Sequence, residues 1–156
     1  MWVRLLLYMI LMLLSVGCGT AEERVEQGDE EMKESLEFVF DIKQQGEDVQ
    51  FLIGLRNTRE EDVELEYISG QQFEITVVNP DDEIIYRFSE EMAFTQVIVE
   101  ETLLANDEQL SEISWKVNDV PSGTYKAVAE LLVRSINGEE VAPRTFQAEQ
   151  LIIIEE

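Results

Sequence analysis

From residue 36 onward, hydrophobic and polar residues alternate along most of the chain. Successive side chains of a β-strand point to opposite faces, so this pattern predicts strands with one buried face and one face in water. A helix of the same composition would place its apolar residues three and four positions apart, which these runs do not do. The apolar members of the alternating runs are Leu36, Phe38, Phe40 and Ile42; Val49, Phe51, Ile53 and Leu55; Val63, Leu65 and Tyr67; Phe73, Ile75 and Val77; Ile84, Tyr86 and Phe88; Ile113, Trp115 and Val117; and Tyr125, Ala127, Ala129, Leu131 and Val133.

Segments rich in Gly, Asn, Asp and Pro separate these runs and predict tight turns. Asn137-Gly138 is the strongest hairpin signal, because both residues tolerate the positive φ of a type I′ turn. Short strands at close spacing, without a long amphipathic helix, are typical of a β-sandwich or barrel. The chain is therefore predicted to be all-β, with eight or nine antiparallel strands.

Three features of the later runs refine this prediction. Trp115 suits a central position in the core. Residues 151–154 are all aliphatic, so we expect a strand that is buried on both faces and closes the sandwich. Gly123-Thr124-Tyr125 resembles the tyrosine corner of immunoglobulin-like domains, in which the phenol bonds to nearby backbone. A tyrosine at the edge of the core without that bond is the alternative.

The first 17 residues follow a different pattern, with Arg4, an apolar core from Leu5 to Leu14, and small residues at the end. This composition predicts a secretory signal peptide, and a permanent transmembrane helix is the weaker interpretation of so short a stretch. Residues 18–35 carry seven acidic and two basic side chains and few apolar ones, which predicts a flexible, extended tether. The folded domain is therefore predicted to span residues 36–156.

Cys18 directly follows the signal segment and is the only cysteine of the chain. Its position after Val16-Gly17 resembles the lipobox of bacterial lipoproteins, although Ser15 stands where that family most often has leucine. The resemblance implies cleavage before Cys18 and fatty-acyl chains such as palmitate attached through a diacylglycerol on its thiol. The protein would then be anchored on the extracytoplasmic face of the cell membrane of a Gram-positive bacterium. An ordinary signal peptide with an incidental cysteine is the alternative.

The charge of the chain limits its partners. It has 34 acidic and 11 basic residues, a formal net charge of −23. Nucleic-acid binding needs clustered Lys and Arg to displace counterions from phosphates, so no nucleic-acid partner is expected. Electrostatic adhesion to an anionic membrane is equally disfavoured, and the acyl chains would have to supply membrane binding. Such a charge also limits association, and we expect a monomer.

The absence of histidine excludes Ser-His-Asp and Cys-His catalysis and histidine-ligated zinc. With Cys18 assigned to the anchor, no cysteine remains for a disulfide, a thiol nucleophile or an iron–sulfur cluster. There is no Gly-rich phosphate-binding loop, and no cofactor or metal is expected. A calcium-binding module built from acidic loops is the weakest alternative, because no EF-hand spacing occurs. We therefore predict a protein that is not an enzyme.

Short segments between Val49 and Leu132 occur in a distinctive order and spacing. They are Leu55-Arg56-Asn57-Thr58, Ser69-Gly70-Gln71-Gln72-Phe73-Glu74-Ile75, Ile85-Tyr86-Arg87-Phe88-Ser89, Met92-Ala93-Phe94-Thr95-Gln96, Trp115 and Gly123-Thr124-Tyr125. Together they resemble the BsuPI family, named for an intracellular proteinase inhibitor, in which tryptophan is usual where this chain has Tyr86 and Phe88. The resemblance implies an immunoglobulin-like β-sandwich that binds and inhibits a subtilisin-type serine protease. It marks as motif and core residues Phe73, Tyr86, Phe88, Gln96, Trp115, Gly123 and Tyr125.

Two loops are candidates for contact with such a protease. Residues 89–95 offer Met92 and Phe94 as apolar anchors, and residues 79–83 are stiffened by Pro80. Phe94 has an alternative interpretation as a core residue that begins the next strand. Binding through an exposed sheet edge, by β-augmentation, is equally open. The alternative function is a non-inhibitory immunoglobulin-like module that binds an envelope or secreted protein.

Overall fold

The computed structural model describes residues 36–155, which form eleven β-strands and one 3₁₀ turn. The strands are β1 (Leu36–Gln45), β2 (Asp48–Asn57), β3 (Val63–Tyr67), β4 (Phe73–Val78), β5 (Ile84–Arg87), β6 (Val99–Leu103), β7 (Glu108–Lys116), β8 (Gly123–Leu131), β9 (Val133–Ile136), β10 (Glu139–Glu140) and β11 (Gln147–Ile154). The 3₁₀ turn, Phe88–Glu91, follows β5. Within these residues, no helix is long and apolar enough to cross a membrane. The predictions for residues 1–17 and 18–35, Cys18 included, lie outside the described residues.

All strand pairs are antiparallel and form three sheets, which confirms the predicted all-β class. Sheet A has the order β1-β2-β7, sheet B the order β10-β9-β3-β6, and sheet C the order β11-β8-β4-β5. The arrangement is consistent with a β-sandwich. The strands outnumber the eight or nine predicted, partly because one predicted strand is divided between two sheets.

That division occurs at Leu132. The alternating run from Tyr125 to Val133 was predicted as one strand, but the chain leaves sheet C after β8 and enters sheet B as β9. The amide of Leu132 donates to the carbonyl of Gln72 (2.8 Å), so this residue pairs with neither sheet ladder. Alternation alone cannot reveal the break, because the inward-facing side chains stay buried on both sides of it.

The predicted hairpin at Asn137-Gly138 is confirmed. Both residues have positive φ, +51° and +79°, and they join β9 to β10. The tyrosine corner is also present as a hydrogen bond, because the hydroxyl of Tyr125 donates to the carbonyl of Pro121 at 2.7 Å. This bond fixes the loop that leads into β8.

Aromatic rings fill the centre of the core. Phe51 lies 6.1 Å from Tyr86 and 6.4 Å from Trp115 between ring centroids, and Tyr86 lies 5.2 Å from Trp115. Trp115 is 7% exposed, which confirms its predicted central position. Each such pair contributes ~0.5–1.5 kcal/mol beyond the apolar area that it buries.

One prediction for the end of the chain is wrong. Residues 151–154 were expected to be buried on both faces, and they do close sheet C by pairing with β8. Only Ile152 and Ile154 are buried, whereas Leu151 is 70% and Ile153 is 64% exposed. β11 lies at the edge of sheet C, and its outward side chains meet no covering layer among the described residues. An aliphatic run therefore marked a half-buried strand with an apolar outer face.

Candidate functional site

An irregular segment of seven residues, 92–98, joins the 3₁₀ turn to β6, and we call it the 92–98 loop. Met92, Val97 and Ile98 are 52–59% exposed, although all three are large apolar side chains. The backbone of Met92 is extended, with φ −126° and ψ 156°. The loop therefore presents apolar side chains and extended backbone to solvent.

Phe94 anchors the middle of the 92–98 loop to the core. Its side chain is half-buried, and its ring centroid lies 5.8 Å from that of Phe88 at an interplanar angle of 53°. Phe88 in turn stacks on Phe73, with centroids 4.7 Å apart. Phe94 is therefore an internal support of the loop, and the next strand begins only at Val99.

A second anchor lies at Thr95. The amide of Gly70 donates to the carbonyl of Thr95 at 2.9 Å. A Cβ atom at position 70 would lie 2.6 Å from Oγ1 of Thr95, so only glycine fits this close approach without a shift. The turn after β3 is thus bonded to the loop at Thr95.

The start of the loop is fixed by Glu74 on β4. Its Oε1 accepts hydrogen bonds from the amides of Ser89 and Ile75, both at 3.1 Å. Its Oε2 accepts from Nε2 of Gln71, also at 3.1 Å. One half-buried carboxylate therefore ties the 3₁₀ turn, which leads into the loop, to β4.

The exposed apolar surface continues beyond the loop. β3 and β6 pair as far as Tyr67 opposite Val99, and the next residues on the two chains are Ile68 and Ile98. Ile68 is 64% and Ile98 is 56% exposed. Two positions before this apolar pair, Glu66 lies opposite Glu100 on the outer face of sheet B. The site is an apolar surface with acidic side chains beside it.

Sequence reasoning missed Ile68, Val97 and Ile98. The sequence did contain one signal for Val97 and Ile98, because the apolar run from Val97 to Val99 belongs to no alternating segment. Ile68 carried no signal, because its proximity to Ile98 follows from the pairing of β3 with β6.

The other candidate loop is remote. Residues 79–83 form a turn between β4 and β5, where Oδ1 of Asn79 accepts from the amides of Asp81 (3.0 Å) and Glu83 (2.9 Å). Pro80 is exposed. The 92–98 loop follows the opposite end of β5, and β4 and β5 separate the two by ~15–20 Å. The structure therefore brings Met92 and Phe94 together but leaves Pro80 apart.

The motif residues divide by position. Five are buried in the core, Gln96 is exposed in the 92–98 loop with Nε2 donating to the carbonyl of Phe94 at 3.5 Å, and Gly123 begins β8. The buried five are Phe73, Tyr86, Phe88, Trp115 and Tyr125. Phe73 and Phe88 therefore support the loop through Phe94, and Gln96 is the one motif residue that lies in the loop itself.

Tyr86 is unusual among them. Its buried hydroxyl has no hydrogen-bond partner among the described residues. Burial, followed by the charges of Glu91 and Glu74, raises the pKa of Tyr86 to about 12. Burial also raises the pKa of Tyr67, with Glu101 as the second cause. Both phenols are therefore neutral at physiological pH.

Several solved structures match this chain at low sequence identity. A penta-heme cytochrome c552 from Thermochromatium tepidum has 10% identity and a TM-score of 0.44, and the match covers 79% of this chain and 39% of that chain. A β-glucosidase from Kluyveromyces marxianus has 9% identity and a TM-score of 0.42 over 78% and 14% of the two chains. The sporulation control protein Spo0M from Bacillus subtilis has 14% identity and a TM-score of 0.42 over 78% and 50%. This chain thus matches at most half the length of these structures.

The family is shown by sequence. No curated protein matches the chain. A family model described as intracellular proteinase inhibitor matches residues 36–136, which is more than half of the 156 residues. The match begins with β1, ends with β9 and contains the whole 92–98 loop. The chain belongs to the BsuPI family of intracellular proteinase inhibitors.

Proposed function

We propose that this protein is a lipid-anchored, extracytoplasmic inhibitor of a subtilisin-type serine protease. Family membership supports the inhibitor domain. The signal segment and Cys18 support export and anchoring, because the thiol has no second cysteine and no histidine to act with. A target that meets this domain would then be a protease outside the cytoplasm.

The observation that carries the proposal is the construction of the 92–98 loop. A substrate-like inhibitor must hold extended backbone and an apolar side chain in the protease cleft with little loss of entropy on binding. Phe94 and Thr95 hold this loop from two sides, and Glu74 fixes the 3₁₀ turn that precedes it. Met92 is exposed and extended between these supports. We propose that Met92 enters the apolar substrate pocket of the protease.

Inhibition kinetics test this proposal. The chain from residue 18 onward, with Cys18→Ser to omit the acyl group, is titrated against a panel of subtilisin-type proteases. We expect stoichiometric inhibition of at least one enzyme. Met92→Glu should weaken it by about 30-fold or more, as expected for a central apolar anchor. Leu104→Glu is the matched control, because Leu104 has the same 52% exposure and lies beyond the other end of β6.

The outcomes separate the two functions. No inhibition by the unsubstituted chain at micromolar excess would contradict the inhibitor proposal. Stable capture of an envelope protein by a non-inhibitory chain would favour the interaction module instead. Equal inhibition by the Met92 and Leu104 variants would place the contact elsewhere in the domain.

Membrane anchoring is tested separately in a bacterial host. We expect the full chain to incorporate labelled palmitate and to sediment with membranes. Cys18→Ser should abolish the labelling. Labelling of the Cys18→Ser chain would contradict lipidation at this residue, whatever the inhibition assay shows.

A further inference from the structure

The peptide bond between residues 92 and 93 divides the strands into two groups that are interleaved throughout the fold. Strands β1 to β5 precede this bond, and β6 to β11 follow it. In sheet A, β7 pairs with β2; in sheet B, β6 and β9 pair with β3; and in sheet C, β8 pairs with β4. Each sheet therefore joins the two groups by backbone hydrogen bonds. A chain that is cut at this bond would stay one folded unit, because its fragments could separate only by unfolding.

Two aromatic rings hold the chain on either side of the same bond. Phe88, four residues before Met92, is 7% exposed and belongs to the core. Phe94, two residues after Met92, is half-buried, and its ring centroid lies 5.8 Å from that of Phe88. The carbonyl of the next residue, Thr95, accepts a hydrogen bond from the turn after β3. Cleavage after Met92 would thus leave the new amino terminus, Ala93, directly before two anchored residues.

We propose that the protease cleaves and reseals the Met92–Ala93 bond, and that the cleaved chain remains an inhibitor. This inference rests on the proposed function, in which Met92 fills the substrate pocket and the bond after it lies at the catalytic serine. The serine oxygen attacks the carbonyl carbon of Met92 and forms an acyl-enzyme ester. The bond to the nitrogen of Ala93 breaks, and that nitrogen takes up the proton that the serine had given to the catalytic base.

The fate of the new amine distinguishes this chain from an ordinary substrate. An ordinary amine product diffuses away, and water then hydrolyses the ester. Here Phe94 and Thr95 hold the amine of Ala93 beside the protease, and a well-oriented intramolecular group reaches an effective molarity of ~10⁵–10⁸ M. The amine therefore attacks the ester again and restores the peptide bond more often than water consumes the ester. Each hydrolysis takes up one water molecule and leaves a carboxylate on Met92 and an ammonium group on Ala93, and resealing releases that water.

Cleavage and resealing are measured with a subtilisin-type protease that the chain from residue 18 onward, with Cys18→Ser, inhibits. A catalytic amount of this protease is incubated with the chain, and the fragments are identified by mass spectrometry in denaturant. We expect one break within residues 36–155, with a new amino terminus at Ala93, and one species in gel filtration without denaturant. The purified cleaved chain should inhibit with a Ki within about threefold of that of the intact chain, because the same contacts hold its loop. Incubated with the protease, intact and cleaved chains should reach the same final ratio of the two forms.

Phe94→Ala tests what holds the amine. Without the ring, the segment that begins at Ala93 loses its contact with Phe88, and the amine is less well oriented. We expect net hydrolysis of the bond to become faster by about tenfold or more, so that inhibition becomes temporary. Phe40→Ala is the matched control, because Phe40 is also half-buried and stacks on a core ring, Phe51 at 6.4 Å, but lies on β1. It should change neither the hydrolysis rate nor the duration of inhibition, at a temperature where circular dichroism shows both variants folded.

An intact chain that inhibits the protease without a break at residues 92–93, or that is cut at another bond of the 92–98 loop, would overturn this inference and leave the inhibitor function standing. A cleaved chain that no longer inhibits, or a final ratio that differs between the two starting materials, would do the same. Equal rates of hydrolysis for the Phe94 and Phe40 variants would overturn the role of Phe94. Absence of inhibition by the intact chain would contradict the proposed function itself, and this inference with it.

Discussion

At the scale of single residues, the buried side-chain amide of Asn57 connects separate parts of the chain. Asn57 is fully buried, and its Nδ2 donates to the carbonyls of Glu61 at 2.8 Å and Leu104 at 3.0 Å. Its Oδ1 accepts from the amide of Arg59 at 3.0 Å. Nδ2 also lies within hydrogen-bond distance of the carbonyl of Leu103, at 3.3 Å, so one side chain has four backbone partners. The sequence predicted a turn at Asn57 but gave no sign of these long-range bonds.

We expect Asn57→Ala to lower the free energy of unfolding by about 2–4 kcal/mol, because it leaves buried carbonyls and an amide without partners. Urea unfolding followed by tryptophan fluorescence measures the change. Asn118→Ala is the control, since Asn118 is exposed in a turn, and it should change stability by less than about 0.5 kcal/mol. A loss at Asn57 no larger than the control would contradict the structural role of the amide.

Tyr86 gives a second prediction at this scale. Its hydroxyl is buried without a partner, so Tyr86→Phe should stabilise the fold by about 1 kcal/mol. The pKa of Tyr86 is raised from 10.0 to about 12, so between these values the unfolded chain loses a proton that the folded chain keeps. Stability therefore falls as pH rises from 10 to 12 and is unaffected by this group below pH 10. Tyr86→Phe should remove part of this loss of stability at alkaline pH. The rest should persist, because burial also raises the pKa of Tyr67. An unchanged slope of stability against pH would contradict the burial of this phenol.

At the scale of elements, alternation predicted the buried faces of β2, β4 and β8 correctly, because each has one side on the core. It failed for β11, since four aliphatic residues are compatible with either one or two buried faces. Only part of the candidate site could be predicted. The local sequence indicated Met92 and Phe94, but the contact of Thr95 with Gly70 depends on how β3 and β6 pair. Register of this kind is a property of the assembled sheet, and no local pattern contains it.

That contact supports a prediction about the 92–98 loop. Gly70→Ala places a methyl group 2.6 Å from Oγ1 of Thr95 and should displace the loop. We expect weaker protease inhibition, by about tenfold, with a loss of stability of about 1 kcal/mol. Adding Thr95→Ala removes the clashing oxygen, and the remaining neighbours, N and O of Thr95, lie at 3.4 and 3.7 Å. The double variant should therefore recover inhibition. If the double variant did not recover inhibition, Gly70 would be needed for its backbone conformation rather than for the space beside Thr95.

At the scale of the whole molecule, like charges oppose the folded state. The net charge is −23, and the outer face of sheet B places Glu66 directly opposite Glu100. The ion pairs cannot compensate, because they are largely exposed, and such pairs contribute only ~0–1 kcal/mol each. Among them, Arg56 bridges Glu37 at 2.8 Å and Glu108 at 3.1 Å across the outer face of sheet A.

These opposing effects predict the sign of the salt dependence. Because the repulsion outweighs the exposed ion pairs, sodium chloride should raise the urea midpoint of unfolding, and a fall of the midpoint with salt would contradict this. Glu100→Lys replaces the repulsive pair with Glu66 by an attractive one and should stabilise the fold by ~0.5–1 kcal/mol in low salt. It should also reduce the rise with salt. Glu112→Lys is the control, because it makes the same charge change of two units at an exposed position opposite the uncharged Leu52. Equal effects of both variants would mean that net charge decides stability, and a larger effect at position 100 would mean that the Glu66–Glu100 pair does.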